Sequence, residues 1–565
     1  MRRIFTLLFI VFTVSAKAQI TNSGQPASWG LLSKSAINPV LLDKIDIEAV
    51  RKQDIANDAL KAKPFRVGIP IGVNYGLDNS GVWTQLPNGD RIWRIFFESD
   101  NAIHLSVVFN DFYLPEGGTI YLYNDDRTDL VGAYTNIENN DDHKLGTWFV
   151  KGDKLWIEYY EPKDVTGQGR LNVSSVIHGY RLAGEYQTGY INDFQKLLND
   201  SNDCQQDVDC PVGTDFESQR DLVKHSVAYL NMGDGYICSG ALVNNTAQDK
   251  TPFFLSANHC YNRDNGTADA SLFSMRFNWI SPNPVCAEAT NSTNDPTNFV
   301  MSGSTLRARS PLSDFMLVEI NNDIPVEWNI TYAGWDRSDN IPTFEVGIHH
   351  PSGDIMKISR DNDPAIKGQF TVNNETLNAW ELVGLDGGTP TPEQFLKGGW
   401  EIGSTEGGSS GSPLFDQNGR IIGQLYGGWS ECDGTNDNGG ADLYGRFAIS
   451  WSNGLKTWLD PLNTNPATLN SLQATLSVND AYLNRNIRIY PNPSTDGIFY
   501  VDVSGLIDTL NYRVFNILGQ ELKTAKLSGQ NETINLQHLE NNIYFIKFSE
   551  EGSNRNLVKK IIINR

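Results

Sequence analysis

All six cysteines of this 565-residue chain fall between positions 204 and 432, and none lies elsewhere. That distribution isolates one cross-linked unit in the middle of a longer molecule. Cys204, Cys210, Cys238, Cys260, Cys286 and Cys432 come without a CxxC pair and matching HxxxH. Three disulfides therefore fit better than a zinc site, although six cysteines allow 15 pairings. Disulfides need an oxidising compartment, and the first residues supply the route. Arg2 and Arg3 precede an apolar run at 4–14 and the small-x-small sequence Ala16-Lys17-Ala18. This reads as a signal peptide over 1–18, cut after Ala18. The run is too short to span a bilayer, and no later stretch reaches the ~20 apolar residues needed.

A chain of this length implies three or four domains at roughly 100–200 residues each. The abundance of Gly, Thr, Asn and aromatic residues leans toward β structure. A formal net charge of −22 argues against nucleic acid as a partner, because its phosphates would be repelled. Residues 19–196 lack cysteine and alternate at Ile103, Leu105, Val107 and Phe109, with further strands expected at 119–123 and 154–160. Turn-rich breaks at 115–118 and 124–126 separate them. This region is predicted to be a β-sandwich-like domain whose scattered His104, His143 and His178 are structural or surface residues. The cysteine-bearing unit runs over 197–475 and closes with a short helix at 455–459, stopped by Asp460-Pro461. A polar linker at 476–486 leads to a small β-sandwich at 487–565, where Tyr544, Ile546 and Phe548 alternate.

Chemistry concentrates in the middle unit. Gly407-Gly408-Ser409-Ser410-Gly411-Ser412-Pro413 surrounds a serine with glycines. Such a backbone exposes a hydroxyl and aims N–H groups at the oxyanion of a tetrahedral intermediate, here those of Gly408 and Ser410. A serine hydroxyl needs a base. His259 follows the apolar run 253–257 and precedes Cys260, so a strand delivers it to an edge that a short disulfide could clamp. Asp314 stands at the mouth of the apolar run 315–318, where a buried carboxylate requires a partner. Such an acid would hold the imidazole in its working tautomer.

These motifs, in the order His259, Asp314, Ser410, follow the chymotrypsin order. The segment from Cys204 to about Thr475 resembles the bacterial lysyl endopeptidases, a branch of the chymotrypsin fold. The resemblance rests on Cys204-x5-Cys210-Pro211, Ser239-Gly240-Ala241-Leu242-Val243-Asn244-Asn245-Thr246, Ala257-Asn258-His259-Cys260 and Ser313-Asp314-Phe315. It continues through Ala333-Gly334-Trp335-Asp336-Arg337, Ile348-His349-His350-Pro351, Ser409 to Pro413 and Gly423-Gln424-Leu425-Tyr426-Gly427-Gly428. It implies an all-β fold of two six-stranded barrels with a His259–Asp314–Ser410 triad between them. It also implies the pairs Cys204–Cys432, Cys210–Cys286 and Cys238–Cys260.

Trypsin-like enzymes carry Asp six residues before the nucleophile; here that position is Ser404. The resemblance instead points to Asp442, in Asp442-Leu443-Tyr444-Gly445-Arg446, as the carboxylate that meets a substrate lysine. Tyr426, Gly427 and Gly428 would form the edge strand that pairs with substrate backbone. Family members carry His where this chain has Tyr426, with a Trp stacked beside the catalytic His; Trp380 and Trp400 are the candidates here. His349 and His350 match the family and are read as packing residues.

The expected function is thus a secreted serine endopeptidase cleaving after Lys through an acyl-enzyme. A broader Lys/Arg or other preference is the alternative, and a non-catalytic binding protein with a protease-like shell is a further one. Residues 19–196 resemble the pro-region that precedes such proteases, and release after Lys196 would leave Leu197 as the mature N-terminus. The last unit resembles the sorting domain of type IX secretion, through Ile489-Tyr490-Pro491-Asn492-Pro493, Gly497, residues 514–519 and Asn542-Ile543-Tyr544. It implies passage through the periplasm to the cell surface or medium. Expected partners are protein or peptide substrates, the chain's own pro-region and the secretion machinery, with the protein itself a monomer. No cofactor and no metal is expected, because the acids at Asp433 and 436–442 do not follow an EF-hand spacing.

Overall fold

The computed structural model describes residues 24–31, 37–58, 61, 63–181, 201–263, 266–295, 298–372, 375–383, 399–437, 439–473, 487–503, 510–516, 520–527, 531–550 and 556–565. Ala18, Lys196 and the linker lie outside them. The chain divides into two compact units, Met1–Gln473 and Ala474–Arg565. Among the described residues no helix is long and apolar enough to cross a membrane.

The first unit begins with two facing sheets. One runs in the order Val40–Leu41, Arg91–Glu98, Lys154–Glu161, Thr119–Asn124, Leu130–Tyr134; the other Val150–Lys151, His104–Tyr113, Arg170–Gly179, Gly68–Gly76. Alternation explains their core. Leu105, Val107 and Phe109 turn inward from one sheet to meet Trp93, Ile95, Phe97, Leu155 and Ile157 from the other, all buried. The turn-rich breaks are turns, closed by Gly118 N–H to Pro115 O (2.9 Å) and Arg127 N–H to Asn124 O (3.1 Å). His104 and His178 are buried, and desolvation pushes them down to about 3 and about 4. The same core takes in Tyr229, Ile237 and Val300 of the cysteine-bearing segment, so sandwich and barrel share one apolar interior.

That segment folds into two barrels. The first follows the order Phe299–Ser302, Ser274–Phe277, Val227–Asn231, Tyr236–Leu242, Phe253–Ala257, Phe315–Ile320, Ser304–Ser310. Its end strands are separated in sequence only by Gly303, so the sheet closes on itself. The second follows Lys357–Asp361, Glu345–His349, Pro413–Phe415, Ile421–Gly428, Asp442–Arg446, Glu375–Leu382, Ile366–Val372. Residues 362–365 join its ends in the same way. With each interrupted strand taken as one, either barrel among the described residues has six strands, the chymotrypsin-like all-β architecture. A shared core holds them together: Leu255, Phe315 and Leu317 from one meet Ile348, Phe415 and Ile421 from the other. Three disulfides cross-link the segment: Cys204–Cys432, Cys210–Cys286 and Cys238–Cys260. The helix at Lys456–Leu459 stops at Asp460, as its sequence predicts.

In the second barrel Glu345 and Asp361 stand opposite each other across two strands, both fully buried. Burial raises both carboxyl groups far above their ordinary range, and the charge of Glu345 raises Asp361 further. A raised folded-state pKa gives stability that is full below the unfolded carboxylate range, near pH 4, and fades as pH climbs through the folded values. Asp361→Asn keeps the oxygen that accepts Asp363 N–H (2.9 Å). It is expected to raise the unfolding midpoint at pH 9 by about 2–4 °C or more, with the gain vanishing toward pH 4; calorimetry at both pH values checks this.

The second unit carries a three-stranded sheet, Ile487–Tyr490, Ile498–Val503 and Asn531–Asn535, and a four-stranded one, Glu521–Leu527, Leu510–Phe515, Asn542–Glu550 and Asn556–Ile563. Tyr544, Ile546 and Phe548 turn into its core with Phe499, Val514 and Ile561.

Candidate active site

Strand register brings His259 to Asp314. Phe253–Ala257 pairs with Phe315–Ile320 so that Ala257 faces Phe315. The chain then turns through Asn258–Tyr261, setting His259 beside the residue that precedes the partner strand. Asp314 accepts twice from this one residue: Oδ1 from the His259 backbone N–H at 2.8 Å and Oδ2 from Nδ1 at 2.7 Å. The carboxylate is 3% exposed. With Nδ1 donating to Asp314, the Nε2 lone pair is left for a proton from elsewhere.

Ser410 arrives from the other barrel on the loop before Pro413–Phe415. Its carbonyl oxygen accepts Ser239 N–H at 2.8 Å, and Ser239 Oγ donates to Gly408 O at 2.9 Å. Ser239 thus staples the Ser410 loop to the strand Tyr236–Leu242. Cys260 Sγ lies 4.0 Å from both His259 Nε2 and the Ser410 carbonyl oxygen, so both residues rest against the Cys238–Cys260 bridge. The N–H groups of Ser409, Gly411 and Ser412 are all bonded within the protein, to Glu406 O, Leu425 O and Ser409 O. Those of Gly408 and Ser410 have no acceptor among the described residues. Gly408 has φ +94°, a conformation open to glycine.

His349 and His350 support this loop from behind. His349 pairs through Nδ1 with Ser409 Oγ (2.7 Å) and through Nε2 with Ser359 Oγ (3.0 Å). His350 stacks on Trp279 and donates Nδ1–H to Asp354 O at 2.9 Å. Burial pushes both imidazoles down to about 3, so they are neutral packing groups.

Asp442 is fully buried at the start of Asp442–Arg446. Its Oδ2 accepts from Thr405 Oγ1 (2.7 Å), Ser430 Oγ (2.7 Å) and Trp400 Nε1 (2.8 Å). These neutral donors stabilise a carboxylate without neutralising it. Gly428 faces Asp442 and Gly427 faces Leu443 in the antiparallel pair that holds this carboxylate, with a bulge at Tyr426. The Tyr426 ring meets His259 edge-on, centroids 5.7 Å apart. Neither tryptophan candidate fills that place: Trp400 bonds to Asp442, and Trp380 donates Nε1–H to Ile422 O at 3.0 Å. Ser239, Thr405 and Ser430 carried no role in the sequence reading; only Ser239 belonged to a motif singled out there.

The Asp442 strand and the His259–Asp314 pair touch through the backbone. Gln424 Nε2 donates to Ser313 O at 2.5 Å, and a Cβ at Gly445 would collide with that same carbonyl. Ser313 is the residue before Asp314.

Residues 198–445 match the family described as lysyl endopeptidase, C-terminal domain, and residues 488–564 match the secretion system C-terminal sorting domain. The lysyl endopeptidase of Pseudomonas aeruginosa is 29% identical over 248 residues, covering 42% of this chain and 51% of that protein. The chain thus spans about half the length of this curated relative. Among solved structures, Rv3671c from M. tuberculosis H37Rv aligns at 12% identity and TM-score 0.26 over 45% of this chain and 93% of that one. The MamO protease domain of Magnetospirillum magneticum aligns at 11% and 0.24 over 41% and 96%. With the His259–Asp314 pair and the Ser410 loop falling inside the first family match, residues 198–445 belong to the lysyl endopeptidase family, and residues 488–564 to the C-terminal sorting domains of the type IX secretion system.

Proposed function

We propose that this protein is a secreted serine endopeptidase that hydrolyses peptide bonds after lysine. The observation that carries the reading is the double grip of Asp314 on His259, at 2.8 and 2.7 Å, beside a glycine-flanked serine loop. In the mechanism this supports, His259 Nε2 takes the Ser410 hydroxyl proton as Oγ attacks the substrate carbonyl. Asp314 stabilises the imidazolium that forms, and the N–H groups of Gly408 and Ser410 receive the oxyanion. The imidazolium then protonates the leaving amine. Water enters by the same route in reverse to release the acyl group. Lysine preference follows from Asp442, whose buried charge is met by an incoming ammonium ion but left unpaired by a neutral side chain. The edge strand at 426–428 would align substrate backbone by β-augmentation.

The sorting domain directs the chain to the cell surface or the medium. Residues 19–196 act in this reading as a pro-region, released by cleavage after Lys196. The test is to digest an unfolded protein with the secreted, processed enzyme and to read peptide ends by mass spectrometry, with Ser410→Ala as control. Ends confined to Lys support the full reading, and mixed Lys and Arg ends leave a protease with a looser pocket. No cleavage above the control returns the chain to a binding role. N-terminal sequencing of the same material is expected to begin at Leu197; any other start removes Lys196 from its role.

A further inference from the structure

Lys61, in the region read as the pro-region, reaches into the candidate site. Its Nζ donates to Thr405 O at 2.7 Å, to Ser430 O, and to Ser430 Oγ at 3.3 Å. Ser430 Oγ in turn donates to Asp442 Oδ2 at 2.7 Å. One hydroxyl therefore separates the ammonium ion from the buried carboxylate. At its other end the same residue offers its carbonyl oxygen to Ser410 Oγ, at 3.5 Å. A single lysine spans from the floor of the pocket to the nucleophile.

From this geometry we propose that Lys61 is a built-in occupant of the specificity pocket, a tethered lysine that keeps lysyl substrates out until the pro-region is released. The proposal rests on the reading of Asp442 as the floor of that pocket, and it names what blocks the site in the uncleaved chain.

The segment is held on both sides of Lys61. Before it, the helix Ile47–Asp58 is tied down by three ion pairs: Asp54 with Arg66 at 2.7 Å and with Arg181 at 3.8 Å, and Asp58 with Arg181 at 2.5 Å. After it, Phe65–Arg66 adds a strand to the first barrel, Phe65 facing Ile237 and Arg66 facing Tyr236. The Arg181 guanidinium lies over the Phe65 ring at 3.8 Å, and that ring covers Gly407, next to Gly408. Anchored at both ends, Lys61 loses little freedom on entering the pocket, so the tether acts as a high local concentration of lysine.

Its backbone is not that of an extended substrate. Lys61 has φ +34°, and its N–H bonds back to Asp58 O at 3.2 Å in a turn. A lysine that fills the pocket while its main chain stays curled occupies the site without offering an aligned scissile bond.

The test uses the full, disulfide-intact chain carrying Ser410→Ala, so that nothing is cut, and measures binding of the peptide acetyl-Ala-Ala-Lys by calorimetry. Lys61→Ala is expected to tighten binding at least about tenfold, because it removes a tethered competitor at about millimolar effective concentration or above. Lys61→Met, which keeps the aliphatic stem, should do the same if the ammonium ion is what holds the pocket. Lys63→Ala should change nothing, since Lys63 Nζ reaches Asn57 Oδ1 at 3.4 Å instead. Equal affinity for the Lys61 and Lys61→Ala chains overturns the inference. Adding Asp442→Asn to Lys61→Ala separates the two readings: tight binding that survives it overturns the pocket assignment, whatever Lys61 does.

Discussion

Ser410→Ala is expected to lower kcat by about 10⁶, the scale on which removal of a triad nucleophile acts. Its binding of lysyl peptides and its thermal unfolding should both stay close to those of the unaltered chain. The separation follows from how the residue is held. The Ser410 backbone carries the structural bonds, its carbonyl oxygen accepting Ser239 N–H, whereas among the described residues its hydroxyl makes only the long contact to Lys61 O. Removing the oxygen therefore costs chemistry and almost no packing. A residual rate of about 10³–10⁴ over water should survive if the Gly408 and Ser410 N–H groups still polarise the substrate carbonyl. Single-turnover kinetics on a lysyl amide measure both quantities. A fall in kcat of less than about tenfold would remove Ser410 from the mechanism.

Asp442→Asn is the second large effect. It should reduce kcat/KM for lysyl bonds by about 10²–10⁴, the cost of about 3–5 kcal/mol for breaking a buried charge pair. Asparagine keeps the shape but turns one of the two oxygen positions into a donor. Trp400 Nε1, Thr405 Oγ1 and Ser430 Oγ all converge on Oδ2 of the carboxylate. The amide must therefore keep its oxygen there, and a lysine ammonium ion would meet a dipole in place of a charge. Cleavage after an uncharged P1 residue such as Met should change far less, so the Lys-to-Met ratio of kcat/KM is the decisive readout. A ratio that does not move would mean the lysine is recognised elsewhere.

What was legible in the sequence divides along a physical line. His259, Asp314 and Ser410 stand in short local patterns, an apolar run ending at a polar residue or a serine between glycines, and such patterns survive in one dimension. The strands at 103–109, 119–123 and 154–160 were readable for the same reason, because alternation is local. Thr405 and Ser430 were not, because hydroxyl residues are common and gain meaning only when Gly428 pairs with Asp442 and folds Ser430 over it. Trp400 drew a guess about stacking because a sequence does not tell whether an indole will use its face or its N–H. Lys61 was invisible altogether. Nothing in its neighbourhood distinguishes it from Lys52 or Lys63, and its partners lie 344 and 369 positions away.

The Gly445 contact has a consequence for how such a protein can change. The strand that begins at Asp442 runs against the carbonyl of the residue before Asp314, and only a hydrogen atom fits between them. On the function proposed above, selectivity and turnover therefore share a hinge pin. Mutations that widen or re-charge the recognition strand will tend to tilt the acid that steadies His259, so a new taste in substrates would first appear as a slower enzyme. Lineages seeking a different residue preference would be pushed to alter the loops around Thr405 and Ser430, leaving the strand itself nearly frozen.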